Sequence, residues 1–459
     1  MPAIGKSGNF APELFFIWIM SAKHTLFSIA FLSASLTVSA QTQDSIQYGG
    51  FSKYRIGSYG EITASMRNYS DKWSTSTGGS LMRSSNKIAI PRLVIAGDYK
   101  FSKNWILGTE VEFEAGGTGA ALELEWDNEN GEYERELEKG GEVAIEQFHI
   151  TRLIIPELNV RAGHLILPVG QINGHHEPLE FFGTIRPESE TALIPSTWHE
   201  TGLELFGSFL GGLIDYQAII SAGLNCDGFR LSDWVKKGKQ GLFEEDSFNS
   251  PAYTLRLDFK PVQGLRFGGS LYYCADASDN ADKTWIYPGF KVPVAIYTFD
   301  AQYKGAGWTA RAQFMSGNIG NSADLAYWRA NKLNSAVTGY TTKNTAAKQA
   351  LSYGWEAGYD LSHAIPVLRT KNCYGLTPFV RYEYYNSNYK MQTGTVGYDY
   401  NEVSKWTLGI NYKPLPFLAI KADYSTRQRG TAAWFKKGKY NGENAFNLAV
   451  AYNIWFAKK

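Results

Sequence analysis

The residues of this 459-residue chain best suited to chemistry are concentrated between positions 168 and 199, in PVGQINGHHEPLEFFGTIRPESETALIPSTWH. The candidate functional side chains of this segment are His175, His176, Glu177, Glu180, Arg186, Glu188 and Glu190. Histidine beside carboxylates can bind a divalent metal or transfer a proton. Consecutive residues of an extended chain point to opposite sides, so His175 and His176 cannot easily share one ion. The pattern favours polar residues of a loop or pore, and no metal or cofactor site is predicted.

Catalysis would require a nucleophile or an activated water beside a histidine and a carboxylate. His149, His164 and His363 stand in no recognisable pattern with such partners, so an enzyme is not predicted. The three cysteines, at positions 226, 274 and 373, are too few and too scattered for a disulfide framework or a zinc site. A formal net charge of +1 argues against a nucleic-acid partner.

Residues 1–40 have the features of a leader rather than of a folded domain. Lys23 precedes a mostly apolar stretch at 25–36, and Val38 and Ala40 supply the small residues of a signal-peptidase site. We expect cleavage after Ala40 and a mature chain, 41–459, that forms one domain. No later apolar run reaches the roughly 18 residues that a membrane-spanning helix needs.

The mature chain repeats segments of about ten residues in which apolar and polar side chains alternate. In the last segment, Phe446, Leu448 and Val450 share one parity, while Asn447 and Ala449 share the other. A period of two places these sets on opposite faces of a β-strand. The apolar parity often begins or ends in an aromatic residue, which is typical of a strand that faces lipid, and the polar parity suits a water-filled lumen. The predicted lumen-wall charges are Arg161, Arg256, Arg311, Arg381, Glu383, Lys421, Asp423 and Arg427.

The connections between these segments predict a closed barrel. The sixteen predicted strands lie near 54–66, 86–99, 104–115, 142–155, 158–167, 200–210, 213–224, 252–260, 264–275, 292–304, 307–316, 352–362, 375–386, 403–413, 417–428 and 444–456. Short connections alternate with long ones, as they do in a transmembrane antiparallel β-barrel with short periplasmic turns and long extracellular loops. A soluble β-sandwich has no reason to show this alternation. An even number near sixteen leaves an aqueous channel rather than a packed interior.

The connection 168–199 is predicted to fold into the lumen and constrict it. It carries large apolar side chains that an exposed loop would not need, namely Phe181, Phe182, Leu193, Ile194 and Trp198. Inside the barrel these would pack on the wall, and the loop charges would oppose the wall charges across a narrow pore. The alternative is a surface flap whose charges are solvated.

The stretch FGTIRPESETALIPSTWHETGLELFG resembles a signature of Bacteroidetes outer-membrane porins grouped with the phosphate-selective porin O and P-like family. The resemblance rests on Arg186, Glu188, Pro195, Ser196, Thr197, Trp198, Glu200 and Gly202. It implies a sixteen-stranded porin, trimeric, with the loop after the fifth strand inside the channel. Phosphate-selective members are expected to line the constriction with lysines, and the segment 168–199 contains none.

We therefore expect an outer-membrane porin that allows small hydrophilic solutes or ions to diffuse passively. Its expected partners are outer-membrane lipid, lipopolysaccharide and two further copies of the chain in a homotrimer. Anions are one candidate class of solute, and the sequence leaves the choice between anions and cations open. The alternatives are a secreted, soluble, β-rich glycan-binding protein and an outer-membrane barrel enzyme.

Overall fold

The computed structural model describes residues 50–69, 84–115, 142–240, 245–281, 287, 289–331, 346–370, 372–430 and 441–459. The predicted leader, residues 1–40, lies outside this part of the chain. No helix among the described residues is long and apolar enough to cross a membrane.

The chain forms a closed antiparallel barrel in which each strand pairs with the next and the first pairs with the last. The strands are β1 (Tyr54–Tyr69), β2 (Ser84–Ser102), β3 (Trp105–Glu114), β4 (Glu142–Ile155), β5 (Leu158–Ile166), β6 (His199–Phe209), β7 (Ile214–Ser221), β8 (Ala252–Val262), β9 (Leu265–Cys274), β10 (Val294–Gly305), β11 (Trp308–Ile319), β12 (Gln349–Tyr359), β13 (Gly375–Lys390), β14 (Glu402–Leu415), β15 (Leu418–Arg429) and β16 (Asn441–Lys458). The predicted all-β barrel of sixteen strands is confirmed. The observed strand ends differ from the predicted ones by a few residues.

The helices among the described residues are short and lie in the connections. They are α1 (Gln171–Gly174), α2 (Glu188–Thr191), α3 (Ser322–Asn331) and α4 (Leu361–Ala364). The first two belong to the segment between β5 and β6. Several connections at one end of the barrel are tight turns, such as Pro156 and Glu157 between β4 and β5.

The barrel is apolar outside and polar inside, because side chains of one parity along each strand face outward and those of the other parity face inward. Along β8, Tyr253, Leu255 and Leu257 are 54%, 43% and 49% exposed. The intervening Thr254 and Arg256 are buried. A water-soluble protein would place the apolar set inside. An apolar outer face with a polar inner face is typical of strands that contact lipid.

An apolar cluster lies within the barrel and joins its inner wall to the connections. Leu193, Ile194 and Trp198 are fully buried there, together with Trp234 from the connection after β7 and Tyr272 on β9. The ring of Trp198 packs against that of Tyr272, with centroids 4.6 Å apart. The large apolar residues of the segment 168–199 therefore have a hydrophobic contact surface that fixes its course.

Candidate functional site

A row of alternating charges crosses three neighbouring strands. Arg311 on β11 pairs in register with Glu356 on β12, which pairs with Arg381 on β13. The carboxylate of Glu356 accepts hydrogen bonds from the Nε atoms of Arg311, at 2.6 Å, and Arg381, at 2.7 Å. All three side chains are buried. Because each carboxylate oxygen faces a guanidinium, the row forms a rigid charged wall at this side of the barrel.

A second charged cluster covers β8 to β10. The guanidinium of Arg256 lies 2.7 Å from Asp258 and 2.9 Å from Asp300, and Arg266 lies 3.6 Å from each aspartate. Arg256 also donates to the carbonyl oxygen of Gly170, at the start of the segment 168–199. The wall charges thus bind the segment as well as one another.

Lys421 and Asp423 on β15 hold the middle of the segment. The Nζ of Lys421 donates to the carbonyl oxygens of Pro178, Phe181 and Gly183, at 2.5, 2.7 and 3.1 Å. Asp423 accepts a hydrogen bond of 2.7 Å from the backbone N–H of Thr184. One ammonium therefore satisfies three carbonyl groups that would otherwise need water.

Glu188 is the most heavily paired carboxylate of the segment. It lies 2.8 Å from Lys405 on β14 and 3.0 Å from Arg427 on β15, and it accepts a hydrogen bond from the hydroxyl of Tyr385. Burial alone would raise the pKa of Glu188, but Arg427 and Lys405 outweigh it and hold the pKa below its ordinary range. Glu188 is therefore a carboxylate that stays ionised in acid.

Glu190 and Ser189 fix the rest of helix α2 to the wall. Glu190 lies 3.4 Å from the guanidinium of Arg311, and its other oxygen accepts from the backbone N–H of Ile172. Burial raises the pKa of Glu190, and Arg311 opposes that shift. The backbone N–H of Ser189 donates to Glu383 on β13. The helix thus contacts a guanidinium on β11 through a carboxylate and a carboxylate on β13 through a backbone N–H.

The adjacent histidines of the segment contact different walls. Nε2 of His175 lies 2.8 Å from a guanidinium nitrogen of Arg266 on β9, and burial followed by Arg266 lowers the pKa of His175 to about 3. Nε2 of His176 lies 2.8 Å from the hydroxyl of Tyr59 on β1 and 3.3 Å from Glu146 on β4. The two histidines therefore contact different sides of the barrel and do not face a common ligand.

The remaining predicted site residues make contacts of several kinds. Glu180 forms a half-exposed ion pair with Lys304, at 2.9 Å, and Glu177 is partly buried. Arg186 donates to the hydroxyls of Ser196 and Thr197 within the segment. The predicted wall residue Arg161 pairs with Glu204 on β6, at 2.7 Å.

The predicted wall charges are largely buried against the segment instead of facing open solvent, since its backbone and carboxylates pack onto them. Several partners were absent from the sequence-based site, among them Tyr59, Glu146, Glu356, Tyr385 and Lys405. Glu356, Tyr385 and Lys405 lie on the predicted strands at 352–362, 375–386 and 403–413, and alternation could have assigned their faces. No sequence signal could have shown which of them meets residues 168–199.

A cavity of about 420 Å³ lies beside the segment. Its lining includes Glu180 and Phe181 of the segment, and Lys304, Lys413 and Lys421 of the wall. Glu356 and Asp360 also line the cavity, so three carboxylates and three lysines share its water-accessible space.

Comparison of the sequence with known proteins identifies a relative but no family. No family model matches the sequence. A relative from Aquifex aeolicus (strain VF5), described as an uncharacterized protein, is 27% identical over 344 residues, which is 74% of this chain and 70% of the relative.

Solved structures with a similar fold are outer-membrane channels. An anion-selective porin from Comamonas acidovorans has a TM-score of 0.50 at 10% identity, over 88% of this chain and 100% of that chain. DcaP of Acinetobacter baumannii has a TM-score of 0.51 at 10% identity, over 88% and 98%. Salmonella typhi OmpF has a TM-score of 0.50 at 11% identity, over 89% and 99%. The chain shares the barrel fold of outer-membrane porins.

Proposed function

We propose that this chain is an outer-membrane porin for passive diffusion of small hydrophilic solutes or ions, with residues 168–199 as its constriction. The observation that carries the proposal is the set of strands bonded by this one segment. It contacts β1, β2 and β4 through His176, and each strand from β8 to β15 through its other residues. In a closed ring of sixteen strands, β2 and β10 lie on opposite sides.

A segment that bonds opposite walls of a barrel through side chains of the polar parity crosses the lumen. Its packing narrows the passage without requiring a plug domain. Glu188 is engaged with Lys405 and Arg427, and the lysines and carboxylates that line the cavity would set the local potential there. Selection would depend on width and charge, since the barrel offers solutes a passage rather than a reaction.

Planar-bilayer recording of the purified chain in asymmetric salt tests this function. Stepwise conductance is the expected result, and the reversal potential reports whether anions or cations pass preferentially. Deletion of residues 174–190 is expected to enlarge the single-channel conductance. Correctly folded protein without any conductance would overturn the porin proposal, and unchanged conductance of the deletion variant would place the segment outside the conducting path.

We also propose a homotrimer in the outer membrane, in contact with lipid and lipopolysaccharide. The support is the resemblance of the 182–207 region to a family of trimeric porins and the apolar outer wall of the barrel. Chemical crosslinking in native outer-membrane vesicles tests the assembly. The expected product is a band at three times the mass of the monomer. A monomer in both vesicles and mild detergent would contradict it.

A further inference from the structure

Three metal-binding groups converge at the inner wall beside the segment 168–199. They are the carboxylates of Glu110 on β3 and Glu146 on β4 and the imidazole of His176, and one ligand atom from each lies within 4.8 Å of the others. Glu146 and His176 are buried, and Glu110 is partly buried. The three residues come from two neighbouring strands and from the segment that faces them.

A β-bulge brings Glu146 to this position. Glu110 pairs with Gln147 and the next residue, Val111, pairs with Ile145, so Glu146 is an extra residue in β4. The outward residues change parity at the same point, because Ile145 and Phe148 are both exposed. Glu146 and Gln147 therefore both turn inward, and Gln147 donates to Glu110 at 2.7 Å. Bulges commonly re-aim side chains at functional sites.

The orientation of His176 turns one ring nitrogen towards the carboxylate of Glu146. Its Nδ1 lies 3.0 Å from the carbonyl oxygen of Asn173, which can only accept a hydrogen bond, so Nδ1 carries the proton. Nε2 then points towards Tyr59 and Glu146. A histidine held by a backbone carbonyl through its distal N–H is the usual arrangement at protein metal sites.

Glu146 supplies the second observation that points to a ligand. Its side chain is fully buried, and its Oε1 has no hydrogen-bond partner. This oxygen lies 3.3 Å from Nε2 of His176. The single proton of the Tyr59 hydroxyl, at 3.0 Å from the other oxygen of Glu146, cannot satisfy both groups. Two buried lone pairs that face each other require a proton or a cation between them.

The surrounding charge favours a cation. Arg92 lies 3.8 Å from Glu61 and 3.9 Å from Glu112, so it is shared between two further carboxylates. Carboxylates therefore outnumber the guanidinium groups near the cluster. A bound divalent ion would offset that excess of negative charge.

We propose that Glu110, Glu146 and His176 form a site for one divalent transition-metal ion of the zinc class. Imidazole nitrogen and carboxylate oxygen are both zinc ligands in proteins, and three protein ligands leave one tetrahedral position open for water. In tetrahedral coordination, metal–ligand distances of about 2.0–2.2 Å place neighbouring ligand atoms about 3.3–3.6 Å apart. Ligand atoms that lie within 4.8 Å of one another would therefore approach by up to about 1.5 Å on binding the ion.

The bound ion would tie the segment 168–199 to β3 and β4. The effect of this ion on conductance rests on the proposed porin function. Metal binding is therefore measured separately from conductance. The site differs from the adjacent pair His175 and His176 considered from the sequence, since it uses only His176 together with carboxylates distant in the chain.

The test uses the full chain purified in detergent, freed of metal and titrated with Co²⁺, whose visible absorption reports coordination by protein ligands. We expect one Co²⁺ per chain, displaced by Zn²⁺. Glu110→Gln and His176→Gln are expected to weaken binding at least tenfold, whereas the control His175→Gln leaves it unchanged. Circular dichroism and the heat-dependent gel mobility of the barrel confirm that each variant is folded.

Absence of Co²⁺ binding by the folded wild-type chain would overturn the site, and so would equal binding by folded His176→Gln. If the ion binds as expected, Zn²⁺ is also expected to lower the conductance or current noise of the wild-type channel but not of His176→Gln. Metal binding by a chain that conducts no ions would leave the site standing and overturn the porin proposal alone.

Discussion

The Nζ of Lys421 lies 2.7 Å from the carbonyl oxygen of Phe181, although the two residues are 240 positions apart. The ammonium also packs over the ring of Phe181, 4.4 Å from its centroid. Lys421 therefore serves both the backbone and the side chain of the segment 168–199, and it is itself buried. This contact fixes the depth at which the segment meets β15.

Replacing Lys421 with methionine is expected to loosen the segment. Three carbonyl groups would lose their shared donor, at a cost of about 1–3 kcal/mol for each group left unsatisfied in a buried position. We expect larger single-channel conductance and more current noise in planar bilayers. Lys413→Met removes a lysine from the same cavity without removing those hydrogen bonds, so it is the matched control. Equal currents in the two variants would contradict an anchoring role for Lys421.

Replacing Glu188 with glutamine is expected to shift ion preference towards anions. The change removes one negative charge beside Lys405 and Arg427, so the potential around the two cations becomes more positive. The reversal potential in asymmetric salt measures the shift. Glu157→Gln changes the same charge in the turn between β4 and β5 and is expected to have no effect. A reversal potential identical in Glu188→Gln and wild type would refute this assignment.

Acid is expected to release the segment only below the pH at which an ordinary glutamate is protonated. The pKa of Glu188 is held below 4.5, against burial, by Arg427 and Lys405. A depressed pKa means that the stabilising ion pair is fully present above 4.5 and is lost as the pH falls through the lowered value. Conductance measured down a pH series should therefore change below 4.5 in wild type. The same step should be absent in Glu188→Gln, and a step below 4.5 that persists unchanged in Glu188→Gln would contradict the paired state of Glu188.

A charge on the outer wall is expected to destabilise the barrel. Leu257 lies at the middle of β8 and is 49% exposed on the apolar face. Leu257→Arg is expected to lower the free energy of unfolding in lipid vesicles by about 2–4 kcal/mol, because arginine near the bilayer midplane loses its hydration. Val396, 85% exposed in the connection between β13 and β14, offers the control Val396→Arg. Equal unfolding curves for both variants would show that this face does not meet lipid.

The barrel itself was predictable from local sequence patterns. Alternation of apolar and polar residues, as in Leu255, Arg256 and Leu257, assigns each side chain to a face without knowledge of its neighbours. The strand count follows from repeating this assignment along the chain. The ends were less predictable, because β16 continues through Phe456 to Lys458 and β13 continues to Lys390, where pairing with a neighbouring strand decides the boundary.

The contacts of the site were not predictable in the same way. The sequence identified Glu188, Arg427 and Lys421 as charges of the loop or the lumen wall, but their partners depend on barrel closure. The bulge at Glu146 is a second reason why these contacts were not predictable, since one extra residue changes which side chains turn inward.

The local sequence is sufficient to predict strands with one apolar and one polar face, since that property depends on residues two positions apart. The contact of Lys421 with Phe181 and the convergence of Glu110, Glu146 and His176 exist only in the closed barrel. Those pairings join residues tens to hundreds of positions apart. They arise when the ring closes and the segment between β5 and β6 packs against its inner wall.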